Sequence, residues 1–63
     1  MTSKQRLAAD AVRAGRDMVR IGAAHGIDSD HARRAAAQAD RALTAAEAAG
    51  CTAADYDRAR RTH

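Results

Sequence analysis

The chain has 63 residues, a formal charge of +3 and one cysteine, which bounds it to a single small domain with no internal disulfide. Nineteen residues are alanine, Phe and Trp are absent and Tyr56 is the only aromatic, so most of the 46% hydrophobic content is methyl groups and one chain cannot enclose a sizeable small-molecule pocket. No apolar run approaches the ~18–20 residues of a membrane span, and no apolar stretch follows Lys4 to make a secretory leader.

These features predict a reducing, cytoplasmic setting for Cys51. Ten arginines against one lysine, with no asparagine and an alanine excess, point to a GC-rich bacterial or phage genome.

Two glycines followed by capping residues divide the sequence into three helices, at about 3–25, 29–49 and 53–62. The first predicted helix is amphipathic. Leu7, Ala11, Ala14, Met18, Ile21 and His25 recur at 4-3-4-3-4 spacing, beside Ala8, Val12, Gly15, Val19 and Gly22. The combined face covers about half the circumference, enough for two neighbours. Its centre is small, and close backbone packing is the expected compensation for two glycines inside a helix, each about 1 kcal/mol worse than alanine. The residues assigned to an interaction face are Leu7, Ala11, Gly15, Met18, Val19, Ile21 and Gly22.

Gly26 then ends the first helix in a left-handed conformation, Ile27 packs back on the last turn, and Asp28 or Ser29 caps the second helix. That helix carries a stripe of Ala32, Ala35, Ala36, Ala39, Ala42, Leu43, Ala46 and Ala49, suited to a short interaxial distance. Gly50 and Cys51 repeat the glycine–apolar ending, and Thr52 with Asp55 has capping-box spacing. The third helix is too short to hold alone in water. Tyr56 is expected to dock it onto both other helices, with its hydroxyl at the edge. The fold class is therefore all-α, a three-helix up-down-up arrangement. The core is thin enough that completion by self-association is expected.

Charge is uneven along the chain. Arg6, Asp10, Arg13, Asp17 and Arg20 alternate as an i,i+3 and i,i+4 ladder, a pattern that supports helix and solubility. Arg33, Arg34, Arg58, Arg60 and Arg61 are the candidate nucleic-acid contacts. For the terminal three, attraction to the helix macrodipole is an alternative role.

The segment Ala46 to Arg58 looks like the bihelical unit of small bacterial repressors, including those similar to the TetR family. Ala46 is the small residue four before Gly50; Cys51, Tyr56 and Ala59 fill the apolar positions after it. The resemblance implies a helix-turn-helix and DNA as partner. It departs in Asp55 and Asp57, which repel phosphate, and in lacking Gln, Asn, Ser or Lys on the recognition helix. A second copy of the template at Gly26 places His31, Arg33, Arg34 and Gln38 as readers, behind Asp28 and Asp30.

Catalytic and metal chemistry have no visible basis. The up-down-up arrangement puts Cys51 and His25 at opposite ends of the second helix, roughly 30 Å apart at 1.5 Å per residue. There is no Cys-x-x-Cys, no His-x-x-x-His and no glycine-rich phosphate loop. No cofactor, metal, membrane or small-molecule substrate is expected. The leading expectation is a non-catalytic protein-interaction module or regulator. It would act through the Ala/Gly-lined face of the first helix on a second copy, as a homodimer, or on another protein. The alternative is a small helix-turn-helix DNA-binding regulator.

Overall fold

The structure is a computed structural model and describes residues 3–62. These residues form three helices: α1 over Lys4–His25, α2 over Asp30–Ala48 and α3 over Ala53–Thr62. The fold is all-α, as the periodicity predicts.

Each boundary has a local cause. Ser3 caps α1 by accepting the Arg6 N–H at 3.1 Å. Gly26 ends it with φ +91° and ψ 145°, and its N–H donates to the Gly22 carbonyl at 2.9 Å. The positive φ was expected; the ψ is extended, so this is not the left-handed helical cap the sequence suggests. Of the two candidate caps for α2, Ser29 is used. Its hydroxyl accepts the Ala32 N–H at 3.1 Å and donates to the Gly26 carbonyl at 2.7 Å, joining the end of one helix to the start of the next.

The second break is a Schellman turn. Gly50, at φ +87°, donates to the Glu47 carbonyl and Cys51 donates to the Ala46 carbonyl. Thr52 and Asp55 then open α3. The Asp55 carboxylate accepts the Thr52 N–H at 2.7 Å and its hydroxyl at 3.1 Å.

α1 is the central column. A 22-residue helix is about 33 Å long, and the molecule's long axis is 32 Å. Both other helices pack on α1, while no Cα of α2 comes within 8 Å of one in α3. α3 climbs only the first half of α1. At its foot, the Cys51 thiol donates to the Lys4 carbonyl at 3.3 Å and Lys4 Nζ lies 3.5 Å from Asp55 Oδ2. In the middle, Ala59 packs with Ala8 and Val12, with Ala9, Cys51 and Tyr56 against them. At the top, Arg16 donates to the Arg60 carbonyl at 3.3 Å.

The core is small in both number and size. Among the described residues, only Ala8, Val12, Ala32, Ala35, Ala46 and Ala59 are buried hydrophobics, and no large side chain is fully enclosed. Alanine at the contacts lets backbones approach closely but leaves little apolar area to bury.

Two expectations are corrected here, and a third, that Ile27 packs back on the last turn of α1, is met with its side chain still open to solvent. Tyr56 packs on the Ala8–Val12–Ala59 cluster of α1 and α3, with its hydroxyl shielded from solvent rather than at the edge. Ile27 is 82% exposed. Its Cγ2 lies over Gly22, 3.7 Å from where a Cβ would be, yet nothing covers it in turn. Leu43, the one large residue of the α2 stripe, is 42% exposed and Ala36 and Ala49 are exposed too, because α3 does not reach that side of α2.

Candidate interaction groove

The gap between α2 and α3 leaves a groove of about 530 Å³ along α1. Its floor is Ala11, Val12, Gly15 and Val19 of α1. Leu43 stands on the α2 side and Tyr56 on the α3 side. Arg16, Arg20 and Arg60 complete the lining, which contains no carboxylate. Val19 also belongs to a second depression of about 450 Å³, lined by Met18, Gly22, Ile27 and Ala36 among others. The two run into one apolar strip. From Ala11 to Gly22 it extends roughly 16 Å along α1 at 1.5 Å per residue.

This strip collects the large apolar side chains that the fold leaves out. Among the described residues these are Met18, Val19 (68% exposed), Ile27 and Leu43, and all four line it. Scattered exposed apolar residues need no explanation, but a contiguous run of them does.

The glycines of α1 behave differently from expectation. A Cβ built on Gly15 meets nothing within 4 Å, and one on Gly22 meets only Ile27. No backbone packs closely on either, so the chain itself does not compensate their helix cost. At Gly15 the open side faces the groove.

Tyr56 gives the groove its one concealed polar atom. Its ring is half-buried and packs on the Ala8–Val12–Ala59 cluster. Among the described residues its hydroxyl is shielded from solvent and has no hydrogen-bond partner. Burial pushes the phenol above its ordinary 10.0, and the charges of Cys51, Glu47 and Asp55 push it the same way. At the foot of α3, the Thr52 N–H holds the Asp55 carboxyl below its ordinary 3.8. Partial burial opposes this, and the Thr52 hydroxyl and the Lys4 ammonium reinforce it.

Of the interaction face read from sequence, the structure brings Ala11, Gly15, Met18, Val19 and Gly22 into the strip. Leu7 and Ile21 are half-buried and lie outside it. Sequence reasoning missed Leu43, Tyr56, Arg16 and Arg20 as groove residues. The available signal was the width of the α1 face, which exceeds what one neighbour covers.

The five candidate nucleic-acid arginines are all exposed. Arg33 and Arg34 sit in the first turns of α2, at the opposite end of that helix from α3. Arg60 pairs with Asp57 at 2.9 Å and lines the groove. Arg58 borders a depression of about 250 Å³ with Gln5, Asp55 and Thr62. The ladder on α1 forms as two i,i+3 pairs, Asp10–Arg13 and Asp17–Arg20, both at 2.7 Å. α1 and α3 together hold eight cationic side chains against four carboxylates. The two helices of the repressor-like unit, α2 and α3, do not pack on each other.

His25 and His31 meet across the first turn with ring centroids 4.4 Å apart and planes tilted by 37°. No group of three or more metal-ligating side chains occurs among the described residues. No described helix is long and apolar enough to cross a membrane. No family model matches this chain, no curated protein matches it, and no solved structure matches its fold.

Proposed function

We propose that this chain is a small helical protein-interaction module or regulator that docks, without catalysis, through the Ala/Gly-lined face of α1. The observation that carries this reading is the convergence of the exposed Met18, Val19, Ile27 and Leu43 on one strip that contains Gly15. A helix seated there would bury those side chains and pack against the open side of Gly15. The occupant is a second copy or another protein, and the setting is a bacterial or phage cytoplasm, where Cys51 stays reduced.

A nucleic-acid reading keeps one supporting observation, the cationic excess on α1 and α3. Two-dimensional amide NMR separates the two. The docking reading expects a dispersed spectrum that ignores generic duplex DNA at low salt. Salt-reversible shifts confined to 28–38 or 53–61, weakened by Arg33→Ala or Arg60→Ala, would transfer the assignment to nucleic acid.

A further inference from the structure

We infer that the α1–α2 turn is a two-histidine site for a divalent transition-metal ion that holds its ligands at right angles, copper(II) or nickel(II). His25 is the last residue of α1 and His31 the second of α2. They stand at i and i+6, a spacing that no single helix face brings together. The turn does so, with the ring centroids 4.4 Å apart. That turn is firmly held. The Ser29 N–H and hydroxyl both donate to the Gly26 carbonyl, at 3.2 and 2.7 Å, and the same hydroxyl accepts the Ala32 N–H. The backbone positions of both histidines are thereby set before an ion arrives, which lowers the ordering cost of binding.

The rings are available as ligands. Among the described residues neither imidazole makes a hydrogen bond or an ion pair, and both residues are exposed. Each neutral ring keeps one nitrogen lone pair open, and rotation about χ2 can aim it at a shared ion.

The separation of the rings then selects the metal. An ion about 2.0–2.1 Å from an imidazole nitrogen lies about 3.2 Å from that ring's centre. Two such bonds at a right angle put the ring centres about 4.5 Å apart, and at the tetrahedral angle about 5.2 Å. The observed 4.4 Å matches the right angle. Square-planar and octahedral preference with nitrogen ligands belongs to copper(II) and nickel(II) rather than to zinc. Charge plays no part in the choice, since Asp28 and Asp30 beside the pair are matched by Arg33 and Arg34 in the first turns of α2. No third ligating side chain joins the pair among the described residues, so water completes the coordination. The bound ion ties the end of α1 to the start of α2.

The test uses the full chain and nickel(II) chloride at neutral pH, because nickel(II) is not reduced by the Cys51 thiol. Calorimetry and amide NMR follow the titration, magnesium chloride is the control and sedimentation velocity reports association. The expected result is one ion per monomeric chain, paramagnetic broadening centred on residues 22–34, and a Tm that rises with nickel but not with magnesium. His25→Gln and His31→Gln, both at exposed positions, should each weaken binding at least about ten-fold, because the chelate becomes a single ligand. Cys51→Ser, and His63→Gln outside the described residues, should leave it unchanged. Broadening centred on Cys51 or on either end of the chain, binding indifferent to either turn variant, or no binding overturns the site, and the two rings then only stack. Nickel-dependent dimerisation also overturns it, since the ligands then come from two chains.

Discussion

Replacing Gly15 by alanine should make the free chain more stable. Gly15 lies inside α1 and is not one of the positive-φ glycines, which are Gly26 and Gly50. Alanine is favoured over glycine in a helix interior by about 0.8–1.0 kcal/mol. The new methyl meets nothing within 4 Å, so neither a clash nor a packing gain modifies that figure. In a domain of this size, about 1 kcal/mol corresponds to a rise in Tm of roughly 4–8 °C. Thermal melts followed by far-ultraviolet circular dichroism at several concentrations would measure it. Gly50→Ala provides the opposite control. Its φ of +87° puts a Cβ in the left-handed region, at a cost of roughly 1–2 kcal/mol. A Gly15→Ala chain that melts at or below the native temperature would refute the reasoning, because it would mean that the open side of Gly15 is already occupied.

Three further outcomes follow from the packing and the caps. Asp55→Asn should lower the melting temperature at neutral pH. The native carboxyl titrates below 3.8, so its bonds to Thr52 and Lys4 act at every pH above that and are lost as pH falls through the lowered value. The variant's acid limb should therefore be flatter than the native one, and equal limbs would count against the cap. Tyr56→Phe should raise Tm, since it removes a hydroxyl that has no partner, and ultraviolet titration of the native phenol should place its midpoint above 10.0. Ala46→Leu should destabilise by about 1–3 kcal/mol, because Ala46 is 0% exposed and α2 must shift to admit the larger side chain. An unchanged urea midpoint would show that the α1–α2 contact is loose there.

The helices and their ends were legible because their determinants are local. A glycine, a serine or threonine and an acidic residue within a few positions settle a boundary, as at Gly50, Thr52 and Asp55. The two-neighbour width of the α1 face was also legible in the spacing of Leu7 to His25. Where the second neighbour stops was not. α3 reaches only as far as Arg16, and that follows from its length and from the bonds of Cys51 and Asp55 at the first turn of α1. No periodicity in the sequence expresses the gap this leaves beside α2. Leu43 and Tyr56 therefore read as core residues, and Gly15 and Gly22 as close-packing positions. In the fold, Leu43 and Tyr56 border an open groove, while Gly15 lies on its floor and Gly22 extends the strip beyond it. Arg16 and Arg20 read as a solvated ladder, which Asp17–Arg20 does form, and the same two arginines border the groove.

Because α2 and α3 each lean on α1 and not on each other, the molecule contains two opening units rather than one. Detaching α3 uncovers Ala8 and Val12 but breaks no contact between α1 and α2. Amide protons of α3 should then exchange through a partial opening that leaves the α1–α2 hairpin closed, at a free energy below that of global unfolding. A ligand held between Leu43 and Tyr56 would bridge the two units and make them open together, so slowed exchange along the whole of α3, including residues outside the groove lining, would report its occupancy.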